Sequence, residues 1–187
     1  MSVKRAIGPL QRTVLCLAVL AAATGAVSED NRFMPRGGRT LLLEAIRPSP
    51  DELLRIAQTR NTEAQWAQFV AERGNTLSER EASTLSAYLA VNLPLPASAL
   101  RAGKPEALSA ALPRDGRELA WDQCQFCHSL FTSHLTQSRD AQGWRNMFES
   151  PFHRGLKMTP QEREEFARYS AINMPMKIDD VPAELRF

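Results

Sequence analysis

The feature that most constrains this chain is that it aligns with itself. Gly38-Arg39-Thr40-Leu41 matches Gly116-Arg117-Glu118-Leu119, Glu44 then faces Asp122, and Trp66 faces Trp144, all without a gap. Three extra residues follow in the second copy. The register then resumes with Gly74 against Gly155, Glu81 against Glu162, Tyr88 against Tyr169, Asn92 against Asn173 and Pro94 against Pro175. Leu77, Val91 and Leu95 face Met158, Ile172 and Met176, so apolar positions stay apolar. Two unrelated helical segments of similar composition would match here and there. Paired Trp, Tyr and Gly at fixed offsets are hard to obtain that way. A chain built from two copies of one unit must bury each copy's apolar face by itself or against the other.

Each copy reads as helical. Asp115-Gly116-Arg117-Glu118 is a helix start with Asp115 as N-cap. Thr159-Pro160-Gln161-Glu162 is a capping box with proline at the first helical position, and Ser78-Glu79-Arg80-Glu81 is the same box in the first copy. Phe166, Tyr169 and Ile172 share one face of the helix that follows Thr159, as core packing requires. No stretch alternates apolar and polar residues with the β-branched enrichment of a strand. The expected fold class is all-α, as two tandem helical domains. Residues 29–93 form the first and 114–187 the second. Residues 94–113, rich in Ala and Pro, read as the linker.

Residues 1–28 differ from the rest. Lys4, Arg5 and Arg12 precede an apolar run from Val14 to Ala23, and small residues follow. That is the layout of a secretory signal peptide; the alternative is an uncleaved N-terminal anchor. The run is short for a transmembrane helix, and no later segment is apolar enough to span a bilayer, so no membrane span is expected in the mature chain. Without these residues the formal net charge falls from +2 to −1. That balance gives no footprint for nucleic acid. The expected location is periplasmic.

Export also removes Cys16, leaving Cys124 and Cys127 as the remaining thiols. They stand in Cys124-Gln125-Phe126-Cys127-His128. Thiols at i and i+3 lie near one face of a helical turn and can reach the two vinyl groups of one haem, while the next histidine turns its imidazole to the iron. Cys-x-x-Cys-His is the attachment signature of c-type haem, so one covalent haem c is expected on Cys124 and Cys127, with His128 as proximal iron ligand. A dithiol redox site also uses Cys-x-x-Cys, but after a strand in a βαβ setting. A structural zinc site needs four ligands; His134 and His153 could complete a set on paper, but not at the spacing of a zinc module.

Gly116, Cys124 to His128, Trp144 and the stretch from Gly155 to Tyr169 resemble class I cytochrome c, and more narrowly the short haem domains that serve periplasmic dehydrogenases. The resemblance covers roughly residues 114–175. It implies a few helices wrapped round the haem, with the domain's terminal helices crossing. In the first copy Ile46, Ser49 and Pro50 stand where Cys124, Cys127 and His128 stand in the second. The first copy therefore reads as a haem-less relative of the same fold, serving as structural support or as a docking surface.

The family pattern leads one to expect a distal methionine about four residues before Gly155, where this chain has Pro151. The nearby candidates are His153 and, as the alternative, Met147. Both flank the three-residue insertion that only the motif-bearing copy has, and they face Glu72 and Phe69 in the other. Met176 and Met158 follow in order. His134 reads as a surface residue. Trp144 reads as a core residue whose indole N–H can serve a haem propionate.

The expected function is that of a periplasmic mono-haem cytochrome, an electron carrier rather than a catalyst. Its partner would be a redox protein such as a periplasmic dehydrogenase. Two alternatives stand beside it. One is a five-coordinate haem protein that binds a gas or peroxide. The other is a structural or docking subunit of a respiratory complex.

Overall fold

The structure, a computed structural model, describes residues 31–100, 105–125 and 127–186. The expected signal segment, residues 1–28, lies outside the described residues, as does Phe126 of the motif. The described residues form one compact unit. They are helical, with no strand among them. The all-α expectation is met. No helix among the described residues is long and apolar enough to cross a membrane.

The helices are α1 (Gly38–Leu41), which continues through a π-helical turn at Leu42–Ile46, α2 (Pro50–Gln58), α3 (Glu63–Arg73) and α4 (Glu79–Asn92). The short α5 (Ala97–Leu100) and α6 (Pro105–Ala111) follow. Then come α7 (Gly116–Cys124), a π-helical turn at Phe131–Leu135, α8 (Ala141–Met147), α9 (Pro151–Arg154) and α10 (Pro160–Asn173), with two 3-10 turns at the end.

Local chemistry sets these boundaries. Ser78, Asp115 and Thr159 each accept a bond from the backbone N–H three residues on, while Glu81, Glu118 and Glu162 reach back to the cap's own N–H. Each box satisfies two of the N–H groups that a helix start leaves without partners. Thr62 with Gln65 makes a further box at α3, at the position Asp140 occupies as N-cap of α8.

The aligned residues do matching work in space. Arg36 pairs with Glu81 at 2.7 Å, and Arg114 with Glu162 at 2.7 Å. The N–H of Leu95 donates to the carbonyl of Ala57, and that of Met176 to the carbonyl of Leu135. Leu93-Pro94 and Met174-Pro175 are both cis. A Cβ on Gly38 would lie 2.1 Å from the Cβ of Tyr88, and one on Gly116 would lie 2.0 Å from the Cβ of Tyr169. Only glycine permits this closeness of α1 to α4 and of α7 to α10.

There are two apolar clusters. One gathers Leu41, Leu53, Trp66, Leu85, Tyr88 and Leu89; the other gathers Leu119, Leu135, Trp144, Phe148, Phe166 and Tyr169. The leading segments are exchanged between them. Met34 is buried in the second cluster, whereas its aligned partner Leu112, with Leu108, is buried in the first. Two hydrogen bonds hold the exchange: Tyr88 Oη donates to the Pro113 carbonyl at 2.8 Å, and Tyr169 Oη to the Pro35 carbonyl at 2.7 Å. Residues 94–113, expected as a linker, thus carry two short helices and contribute core to the first cluster.

Helices α4 and α10 pack on one another. Between the clusters the contacts are polar and buried. Asn92 Nδ2 donates to Glu165 Oε2 at 3.0 Å, and Asn173 Nδ2 donates to Thr84 Oγ1 at 2.9 Å. The N–H of Gly116 donates to Glu165 Oε1 at 3.0 Å. Burial in this setting, with Asp115 nearby, pushes the Glu165 carboxyl up to about 8.

Candidate functional site

Helix α7 delivers the motif. Its N-terminus is locked by Asp115 and by the contact of Gly116 with Tyr169, which fixes where its last residue, Cys124, emerges. Cys124 is half-buried against the second cluster, while Cys127 and His128 are exposed. In the other half the matching chain takes a different course. Arg47 adopts a left-handed backbone, and Ser49 and Pro50 restart the chain as N-cap and first residue of α2. Proline at a helix start has no N–H to lose and favours immediate helix formation. Where the second half has an exposed histidine, the first half therefore has a helix.

Cys124, Cys127 and His128 line a cleft of about 270 Å3. Its opposite walls come from α8, α9 and α10. Trp144, Met147, Phe152, Leu156 and Phe166 supply apolar surface, and His134 and His153 supply imidazoles. A mostly apolar lining with a few polar groups is the character of a small-molecule or cofactor site. Cys127 and His128 also border a second cleft of about 330 Å3, beside Trp121, Leu130 and Leu185.

His128 and His153 face each other. Their ring centroids are 6.0 Å apart and their planes are inclined at 83°. Two imidazoles holding one metal from opposite sides, each with a nitrogen about 2 Å from it, place their centroids roughly 6 Å apart. Nδ1 of His153 is buried and has no hydrogen-bond partner. Met147 lines the same cleft. Met158 and Met174 are buried in the second cluster, and Met176 packs partly buried against it.

His134, expected at the surface, is instead almost fully buried. It lies in the π-helical turn at Phe131–Leu135 and points inward, where Nε2 lies 2.9 Å from Ser170 Oγ. Its ring packs against Trp144 at 5.1 Å and against Phe166 at 5.2 Å between centroids. Burial drives its pKa down to about 3, so the imidazole is neutral. The available signal was positional: the aligned residue is Ile56, an apolar core residue. Trp144 is fully buried as expected, and its indole N–H has no partner. Trp66 in the first half shares both properties.

The donor set is selective. Burial pushes the Cys124 thiol up to about 12, the opposite of the lowering that a reactive dithiol needs. Neither cysteine is in a disulfide. Among the described residues no group of three or more His, Cys, Asp or Glu side chains could hold a metal ion by itself. A metal that came with most of its own ligands would need few from the protein, and the imidazoles of His128 and His153 are the nitrogen donors at this cleft edge that could supply them. Comparison with known proteins gives no matching family model, no matching curated protein and no matching solved structure.

Proposed function

We propose that this chain is an exported mono-haem cytochrome that carries single electrons. Haem c is held by thioethers at Cys124 and Cys127, with His128 as proximal and His153 as distal iron ligand. The observation that carries the reading is the opposition of the two histidine rings at 6.0 Å, across a cleft edged by both motif cysteines. The haem supplies a metal centre that alternates between ferric and ferrous states.

The chain's residues supply the rest. Cys124, at the end of α7, sets the depth of the attachment, and exposed Cys127 leaves one edge of the site accessible. Trp144, Leu156 and Phe166 exclude water from the inner wall. A low-dielectric surround without a buried counter-charge disfavours the ferric cation, whereas two imidazoles favour it more than a thioether would. His153 as second ligand therefore implies a lower potential than Met147 would give. The first half, with Ile46, Ser49 and Pro50 in place of the anchors, buttresses α10 through α4 and carries no haem of its own. The partner is a redox protein of the periplasm, a dehydrogenase being the chemical class suited to a one-electron acceptor. Residues 1–28 act as the export signal.

The test is expression of the full chain with c-type haem attachment machinery, followed by a haem stain after denaturing electrophoresis and by optical spectra. A covalent haem with low-spin ferric and ferrous spectra, lost to a high-spin form in His153→Ala, is the expected result. No covalent haem in the unaltered chain refutes the reading. A low-spin spectrum unchanged in His153→Ala but altered in Met147→Ala transfers the distal role to Met147. A high-spin unaltered protein that binds carbon monoxide replaces electron carriage with ligand binding.

A further inference from the structure

The two halves differ inside the second cluster in a way that attachment of a cofactor does not require. Where the first half buries Ile56 and Leu89, the second buries His134 and Ser170. All four side chains are at most 4 % exposed, so the exchange puts polar atoms into a position that the fold also fills with hydrocarbon. A buried polar group without a partner loses its hydration without replacement, which is destabilising. Ser170 answers one ring nitrogen of His134, and Nδ1 is left buried with no partner in the protein. The ring packs edge-on against Trp144 and tilted against Phe166. The same ring lines the cleft beside Cys124, Cys127 and His128.

We infer that His134 is a hydrogen-bond donor to a carboxylate of the group bound in this cleft, with Ser170 as the partner of its other ring nitrogen. The inference rests on the haem reading above, since haem carries two propionate carboxylates. In the neutral ring one nitrogen donates and the other accepts. The Ser170 hydroxyl, 2.9 Å away, can donate to Nε2 or accept from it; in the proposed arrangement it donates, and the proton is on Nδ1. Two further features favour an anion here. Trp144, edge-on to His134, has an unanswered indole N–H, and the Arg139 guanidinium stands 5.2 Å over the Trp144 ring. Trp66 shows that the tryptophan belongs to the fold in both halves. The His134–Ser170 pair belongs only to the half with the cleft, which makes it a positioning pair for that half's ligand and not a packing device.

The test compares holo wild type with His134→Leu and with His134→Asn, whose amide can offer an N–H near the place of Nδ1. The readouts are covalent haem content, midpoint potential against pH, and the 15N signature of the His134 ring in the unaltered ferrous protein. A donor to an ionised carboxylate holds that carboxylate's pKa down. The pH at which the potential breaks is therefore expected to rise by about one unit in His134→Leu, a tenfold gain in proton affinity, and to return toward wild type in His134→Asn. The 15N spectrum should show protonated Nδ1 and unprotonated Nε2. Full haem loading with an unmoved break in His134→Leu overturns the inference and leaves the haem reading standing. An unprotonated Nδ1 does the same, and needs no variant to fold. Absence of covalent haem from the unaltered chain overturns the haem reading itself, and this inference with it.

Discussion

Replacing Gly116 by alanine tests the packing that places the motif. The new methyl would meet the Cβ of Tyr169 at 2.0 Å and its Cγ at 2.3 Å. Ordinary carbon contacts are about 3.5–4.0 Å, so α7 and α10 must part by about 1.5–2 Å. That shift strains two bonds at once. One is the Tyr169 hydroxyl to the Pro35 carbonyl at 2.7 Å, and the other is the Gly116 N–H to Glu165 at 3.0 Å. Overpacking together with these buried bonds gives an expected loss of about 3–5 kcal/mol. Helix propensity pulls the opposite way, favouring alanine by up to about 1 kcal/mol. The sign therefore separates the two effects. Urea unfolding followed by circular dichroism at 222 nm would measure the loss, and Gly38→Ala, with its Cβ 2.1 Å from that of Tyr88, should lose a comparable amount. Unchanged or increased stability in Gly116→Ala would refute the argued contact between α7 and α10.

Further outcomes are expected. Because the folded-state pKa of Glu165 is raised to about 8 from an ordinary 4.5, its contribution to stability is fully present below pH 4.5 and is lost as pH rises toward 8. Glu165→Gln should flatten that part of the stability–pH curve, read by urea midpoints between pH 5 and 8.5, and an equally steep curve would count against the buried carboxyl as its source. Cys127→Ala should leave at most one thioether and shift the ferrous absorption bands to longer wavelength, since one vinyl group rejoins the conjugated ring; an unshifted spectrum would remove Cys127 from the attachment. Thr159→Ala should cost about 1 kcal/mol through loss of the capping box of α10, with little change in the spectrum of the bound group.

How much of this was legible in the sequence depended on the range of the interaction. The capping boxes at Ser78, Asp115 and Thr159 are local, made between residues three apart, and they stand in the structure where the sequence placed them. The helical class followed from the same short-range periodicity. The self-alignment was legible because matched contacts demand matched residues: Gly38 and Gly116 each lie under a tyrosine, and Arg36 and Arg114 each meet a glutamate. His134 was misread because exposure is not a local property. Residue type alone gives a histidine no direction; only alignment with buried Ile56 hinted at the position, and its partner Ser170 lies 36 positions further along the chain.

The sequence by itself determined the helices, the duplication and the chemistry offered at Cys124, Cys127 and His128, because each is written in residue type and spacing over a few positions. Only the tertiary structure decided that the leading segments are exchanged, so that Met34 and Leu112 each complete the other half's core. It alone brought the rings of His128 and His153 to 6.0 Å, with Met147 on the same cleft. The physical reason is the same in both cases. Burial and facing are settled by packing α4 and α10 against their neighbours, a competition among distant segments that no short stretch of chain encodes.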